Sequence, residues 1–80
     1  MDDSEVLNAI NRLADEEKDL YRREASKGAT DADRERRREL EVMLDQCWDL
    51  LRQRRAKRHA GEDPDDAKVR DPNTVEKYLN

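Results

Sequence analysis

Apolar residues recur in two segments of the chain at alternating spacings of four and three, and charged residues fill most positions between them. This spacing is typical of helices that bury one stripe of side chains and pair through a heptad seam. The seam positions are Val6, Ile10, Leu13, Glu17 and Leu20 in the first segment, and Leu40, Leu44, Cys47 and Leu51 in the second. The pattern therefore predicts two long amphipathic helices that pack against each other.

Capping signals indicate where these two helices begin and end. A polar residue followed three positions later by an acid precedes each segment, and a glycine follows each segment. The signals are Asp2 with Glu5, Thr30 with Asp33, Gly28 and Gly61. They predict helices over about residues 3–26 and 31–60. The short connection between the two helices makes them antiparallel.

An antiparallel pair has a definite register, which we centre on the short connection. This register places Val6 opposite Leu51 and aligns the other seam positions in the same way. The next layer outward brings Asp3 opposite Arg54, a pair of opposite charges that was not used to choose the register.

The hairpin carries more apolar surface than one seam covers. A second set of apolar residues repeats every seven positions on a flank of each predicted helix and has no partner within one chain. These candidate dimer-interface residues are Leu7, Ala14, Tyr21, Met43 and Leu50. Because a two-helix hairpin buries few side chains against the entropy of ordering the chain, we expect a homodimer. The predicted fold is all-α: an antiparallel helical hairpin with a short helical C-terminal tail, dimerising into a four-helix bundle.

The end of the chain carries its own helix signals. We divide the sequence into a helical hairpin over residues 1–61 and a C-terminal tail over residues 62–80. Pro72 after an aspartate predicts the first turn of a short helix. Three apolar residues of that helix, Val75, Tyr78 and Leu79, then fall on one face. Two interpretations stay open: a frayed, solvated tail, or a segment that docks on the hairpin or on a partner.

If the tail docks on the hairpin, the sequence suggests where. The register places the small side chain of Ala9 opposite Trp48, which leaves a groove beside the indole. We predict that this groove, formed by Ala9 and Trp48, receives Tyr78 and Leu79 of the tail.

Composition and charge limit the location of the protein. Of 80 residues, 48% are charged and the net charge is −4, and no apolar run approaches the length that spans a bilayer. The acidic N-terminal residues do not resemble the basic region of a signal peptide. A single cysteine forms no internal disulfide, which suits a reducing compartment. We therefore expect a cytoplasmic protein with no membrane partner.

No catalytic, cofactor or metal site is predicted. Cys47 and His59 are twelve residues apart on one predicted helix, about 18 Å, and cannot bind the same zinc ion. A cysteine in the seam behaves as a small apolar residue. The sequence has no second cysteine or histidine and no glycine-rich phosphate loop. We expect no enzymatic activity.

Glu17 is a charged residue at a seam position, surrounded by apolar positions. A carboxylate there needs a cationic partner or a raised pKa, and Arg36 and Arg37 are the nearest candidates. We interpret Glu17 as a polar seam residue that fixes register and oligomeric state. The alternative is a ligand carboxylate inside a four-helix bundle, but the sequence lacks the Glu-x-x-His pattern of di-iron bundles.

The end of the second helix is strongly basic, and its cations form a candidate patch for binding phosphate groups. The patch consists of Arg52, Arg54, Arg55, Lys57 and Arg58. The chain as a whole is acidic, and no aromatic residue is interleaved with these cations to stack on bases. A solvated, salt-bridged helix face is the simpler interpretation.

The stretch LDQCWDLLRQRRAKRHAGEDPDDAKVR, with VEKYL after it, resembles a family of short actinobacterial proteins, domain-of-unknown-function family 2630. The resemblance covers nearly the whole chain and is most specific around DQCWDLL. Members often carry His at the position of Lys18, so a role that needs that histidine is in doubt here. The resemblance implies a bacterial cytoplasmic protein whose tail belongs to the domain, and it implies no activity, cofactor or site.

These observations favour one class of function over another. We expect a small, non-catalytic protein–protein interaction or regulatory module that binds an unidentified protein partner. The alternative is a nucleic-acid-associated protein that binds phosphates through the basic end of the second helix.

Overall fold

The structure is a computed structural model that describes residues 2–79, and of residues 78 and 79 only the backbone. Helix α1 spans Asp3–Ala25, α2 spans Asp31–His59 and α3 spans Pro72–Leu79. A single 3₁₀ turn over Pro64–Asp66 lies between α2 and α3. No strand occurs in the described part of the chain, and the two long helices pack against each other, so the predicted all-α hairpin is confirmed.

The N-termini of both long helices carry the predicted capping boxes. The Glu5 N–H donates to the Asp2 carboxylate over 2.8 Å, and the Asp33 N–H donates to the Thr30 hydroxyl over 3.1 Å. In each case the acid three positions on accepts from the backbone N–H of the cap. These bonds satisfy N–H groups that the first turn of a helix leaves without partners.

The C-termini of both helices end in hydrogen-bonded turns, but only one uses glycine as predicted. Gly61 has φ +75°, the left-handed conformation expected after α2. After α1 that conformation belongs to Lys27, with φ +63°, and not to Gly28. Gly28 instead donates its N–H to the Arg23 carbonyl over 2.8 Å, which closes the turn. Helix α1 therefore ends at Ala25.

The core lies in the seam between α1 and α2, in the predicted register. Val6, Ile10, Leu50 and Leu51 form one buried cluster, with Leu44, Cys47 and Ala67 packed against it. Leu20 and Leu40 are also buried, closer to the connection between the helices. Asp3 and Arg54, the predicted outer pair, form an ion pair of 2.6 Å. The heptad spacing therefore identified both the seam and its alignment.

The antiparallel arrangement gives the hairpin two distinct flanks. Because the helices run in opposite directions, residues that follow the seam by one position on α1 share a flank with those that follow it on α2. The Tyr21 hydroxyl donates to the Glu41 carboxylate over 3.3 Å across this flank. We call it the open flank; its residues are Leu7, Asn11, Ala14, Lys18 and Tyr21 on α1 and Glu41, Asp45, Trp48, Arg52 and Arg55 on α2.

The other flank, formed by residues that precede the seam, is covered by the C-terminal tail. Arg36 and Glu16 form an ion pair of 2.6 Å across it near the connection. Further along, Gln53 donates to the Lys68 carbonyl over 2.9 Å. Gln46, two turns earlier on α2, donates to the Arg70 carbonyl over 3.1 Å. The tail therefore runs back along α2 in the opposite direction, and we call this side the tail flank.

The two flanks correct the predicted dimer interface. Met43 and Leu50 precede seam residues, so they lie on the tail flank and not beside Leu7 and Ala14 as predicted. Leu50 is only 5% exposed and belongs to the buried core cluster, which Ala67 of the tail contacts. The prediction grouped residues from opposite sides of the hairpin. It used their sevenfold spacing alone and did not consider the direction in which residues advance around each helix.

Arg54 connects three parts of the chain at one end of the hairpin. Its side chain is 7% exposed, and its Nε donates to Asp3 at the start of α1 over 2.6 Å. Its Nη1 donates to the Asp65 carboxylate over 2.9 Å and to the Pro64 carbonyl over 3.2 Å. These bonds draw the 3₁₀ turn onto α2, and the tail continues along α2 from that point.

We predict that Arg54→Ala lowers the melting temperature by about 10 °C, since it removes several charge-assisted hydrogen bonds together with buried methylene packing. Arg38→Ala is the matched control, because the Arg38 side chain is 66% exposed and pairs with Glu35 on its own helix. Thermal unfolding followed by circular dichroism measures both variants. Equal shifts for the two variants would contradict the role assigned to Arg54.

Candidate interaction surface

The open flank carries most of the exposed large apolar side chains. Leu7 is 42% exposed, Tyr21 is 45% exposed and Trp48 is 44% exposed. Leu7 and Tyr21 are each seven residues from Ala14, and on α2 Trp48 is seven residues from Glu41. Seven residues are close to two helical turns, so each set stays on one face of its helix. The exposed apolar side chains therefore lie in one strip along the hairpin, with polar residues such as Lys18 and Glu41 between them.

Tyr21 lies at the end of the strip nearest the connection between α1 and α2, and its ring is held in place. The Arg37 guanidinium lies 5.1 Å from the centre of the Tyr21 ring and donates to its hydroxyl over 3.4 Å. Arg37 also pairs with Glu24 and Glu41, at 2.9 Å and 3.1 Å. These contacts hold the Tyr21 ring against the surface and leave almost half of the residue exposed. A rigid, half-exposed aromatic ring is typical of binding surfaces.

The tail is held to α2 by a buried carboxylate that sequence reasoning missed. Asp49 is 2% exposed, and its side chain accepts from Arg70 Nε over 2.9 Å and from Gln53 Nε2 over 2.8 Å. The Arg70 guanidinium lowers the pKa of Asp49, with a further contribution from Gln53. Polar residues at 46, 49 and 53 lie on one helix face, and this was the available signal. Nothing in the spacing identified Arg70 as the partner.

The described part of the tail does not lie in the predicted docking groove. Ala9 precedes the seam and Trp48 follows it, so the two residues lie on opposite flanks of the hairpin. The described contacts of the tail are with the α2 face that carries Gln46, Asp49 and Gln53. Val75 of α3 is buried, as its place on the apolar face of the short helix predicted. The side chains of residues 78 and 79, which complete the prediction, lie outside the described residues.

The basic end of α2 is largely neutralised by acids of the same chain. Arg54 is buried and held by Asp3 and Asp65, so it is not part of a surface patch as predicted. Arg58 binds Asp3 over 2.7 Å, and Lys57 binds Glu62 over 3.3 Å. Arg52 and Arg55 of the predicted patch are exposed and make no ion pair with the described residues. Phosphate groups would have to compete with internal acids for the other three cations.

Glu17 does not make the arginine contact that its seam position suggested. Arg36 binds Glu16 and Glu39, and Glu16 precedes the seam on the tail flank, as Arg36 does. Glu17 itself is partly buried and has no hydrogen bond to a described residue. The interpretation of Glu17 as a residue that fixes register or oligomeric state stays a prediction.

Cys47 has the surroundings of a packing residue. It lies against the core cluster, and burial raises the pKa of its thiol. A raised pKa keeps the sulfur protonated at neutral pH, and a thiol is a poorer nucleophile and metal ligand than a thiolate. Among the described residues, no group of three His, Cys, Asp or Glu side chains could hold a metal ion.

The fold and these contacts define a class of protein: a small helical hairpin with a clasped C-terminal segment and one uncovered apolar flank. Residues 2–80 match the family described as Protein of unknown function (DUF2630), and the chain belongs to that family. This confirms the resemblance drawn from the sequence.

Two similar proteins show how far the likeness extends. The uncharacterized protein Mb0922c of Mycobacterium bovis and the uncharacterized protein Rv0898c of Mycobacterium tuberculosis are each 47% identical to the chain over 77 residues. The match covers 95% of this chain and 88% of each relative. No solved structure matches the chain significantly. The search of the described helices for membrane spans found none of sufficient length and apolar character.

We predict that Asp49→Asn loosens the tail while leaving the hairpin folded. The amide retains the shape of the carboxylate but loses the charge that Arg70 binds, which costs about 1–3 kcal/mol for a buried hydrogen-bonded group. Hydrogen exchange should show faster exchange in residues 64–77 and little change at the seam. Asp19→Asn is the control, because the Asp19 side chain is exposed and pairs with Arg22 on its own helix. Uniform loss of protection across the chain would contradict this assignment.

We also predict that acid destabilises the fold through Asp3 and Asp49. The arginine partners of each lower its pKa, Arg58 and Arg54 for Asp3 and Arg70 for Asp49, below the value near 3.9 of an unfolded chain. The folded state therefore binds fewer protons than the unfolded state in this range, and stability falls as pH drops below about 4. Urea unfolding at a series of pH values measures the slope, which Asp49→Asn should reduce. An unchanged slope in that variant would exclude Asp49 as a contributor.

Proposed function

We propose that the chain is a non-catalytic protein–protein interaction module and that the open flank is its binding surface. The observation that carries this proposal is the concentration of exposed large apolar side chains, Leu7, Tyr21 and Trp48, on one flank of the hairpin. Single exposed apolar residues are ordinary, and what supports the proposal is that three large ones share one flank.

The residue types on the flank suit a binding role. Trp and Tyr are among the residues most enriched where binding energy is concentrated, because they bury much area with few rotatable bonds. Tyr21 is already ordered by Arg37 and Glu41, so its burial by a partner costs little further entropy. Burying a Leu7 side chain that is now 42% exposed adds a favourable hydrophobic contribution.

The non-catalytic part of the proposal is supported by the chemistry of the reactive side chains. The Cys47 thiol has a raised pKa because of its burial, and His59 is exposed at the end of α2, about 18 Å further along the same helix. Neither residue has the other as an activating base. We place the module in the cytoplasm, since its single cysteine needs no oxidising compartment.

Site-specific photo-crosslinking in the host cells tests the proposal. A benzophenone amino acid is placed at position 48 on the open flank or at position 69 on the tail, where Val69 is 60% exposed. We expect a discrete protein adduct from position 48 and none of that size from position 69. The adduct should disappear when Leu7→Lys is added, because a charge on the flank opposes burial.

Gel bands and mass spectrometry detect the crosslinked adduct. The test does not require that the captured protein be known in advance. An adduct that persists with Leu7→Lys, or that forms equally from position 69, would refute the flank as the binding surface. Absence of any adduct from position 48 would refute it as well.

A further inference from the structure

We infer that the open flank binds a second copy of the same chain, related by a twofold axis that crosses α2 at Trp48. This inference rests on the proposed function of the flank and names its partner. The axis lies perpendicular to the helices, so that each helix of one copy lies antiparallel to the same helix of the other. The assembly is an antiparallel four-helix bundle.

The charge order along α2 carries the inference. A line of residues at spacings of four and three runs past Trp48 on this side of the helix. Two acids precede the tryptophan in this line and two arginines follow it. The line is Glu41, Asp45, Trp48, Arg52 and Arg55.

Two α2 helices with this charge order bring opposite charges together only when they run antiparallel. A twofold axis at Trp48 brings Glu41 opposite Arg55 of the second copy and Asp45 opposite Arg52 of the second copy. Symmetry repeats both pairs, which gives four contacts between opposite charges. A parallel alignment of the two α2 helices would instead oppose like charges, which is unfavourable.

The charges concerned are available for such contacts. Asp45, Arg52 and Arg55 make no ion pair with the described residues, in contrast to most arginines of α2. Glu41 already pairs with Arg37 over 3.1 Å, but a carboxylate has two oxygens and can accept a second cation.

The residues of α1 obey the same symmetry. The ion pair of Asp3 with Arg54 fixes the register of the hairpin, in which Ala9 of α1 lies level with Trp48 of α2. Leu7 is two residues from that level, so the twofold axis brings it close to Leu7 of the second copy. One axis therefore serves both helices, and the exposed Leu7 side chains of the two copies bury apolar surface against each other.

The surface area of one chain agrees with a missing partner. The chain exposes 5725 Å², whereas a compact monomer of 9.5 kDa exposes about 5,000 Å². Its extents of 50 × 25 × 15 Å describe a flat, elongated body. The excess, roughly 700 Å², reflects this elongated shape, which a second copy on the open flank would make more compact.

Sedimentation equilibrium of four purified proteins tests the inference: wild type, Asp45→Arg, Arg52→Glu and the double variant. We expect a wild-type dimer, at least about tenfold weaker dimerisation in each single variant, and recovery to within about threefold in the double variant. Recovery is the specific signature, because the two reversed charges then face each other across the axis and are again opposite in sign. Lys68→Glu, a charge reversal on the exposed part of the tail, should leave the dimer unchanged.

Each other outcome overturns part of the inference. A monomeric wild type at micromolar concentration removes the second copy as partner, while a flank-dependent crosslink to another protein would leave the proposed function intact. A dimer whose double variant is as weak as the single variants has a different orientation, with α1 facing α2 of the second copy. A dimer that tolerates the single variants and Trp48→Ala uses a surface other than the open flank.

Discussion

The ion pairs of Arg54 are the constraint on which the rest of the structure depends. A guanidinium this deeply buried needs its donors satisfied, and here Asp3 and Asp65 supply carboxylates from two other segments of the chain. The first contact sets the register of α1 against α2. The second sets where the chain lies after α2 ends, and from there the tail returns along the tail flank.

The placement of the tail decides which apolar residues remain exposed. On the tail flank, Leu50 is covered and Ala67 joins its cluster. Asp49 and Arg70 then hold the returning segment of the tail beside α2. No described segment of the tail lies on the open flank, so Trp48 stays half-exposed beside a core that is otherwise closed. The asymmetry between flanks is thus a product of where the tail runs and not of the heptad pattern.

Much of the fold followed from local rules, and the errors have a common origin. Capping boxes and seam spacing depend on neighbouring residues, so the helix limits and the pairing of Asp3 with Arg54 could be predicted. The side of the hairpin to which Leu50 and Ala9 belong depends on rotation around each helix, and spacing alone does not encode that. Asp49 and Arg70 come into contact because the tail runs back along α2, and local spacing does not specify that path. The candidate surface was predicted in part. The sevenfold repeat identified Leu7, Ala14 and Tyr21 on α1, but the predicted register placed Trp48 in a groove that does not form.

Trp48 is the single tryptophan of the chain, and its place on the uncovered side gives the protein an intrinsic optical reporter. Its indole emission depends on contact with water, so covering that side shifts the spectrum without any attached dye. The described contacts of the C-terminal segment are on the other side of α2, so release of that segment would leave the indole in the same surroundings. Association and tail release can therefore be followed as separate signals in one untreated sample.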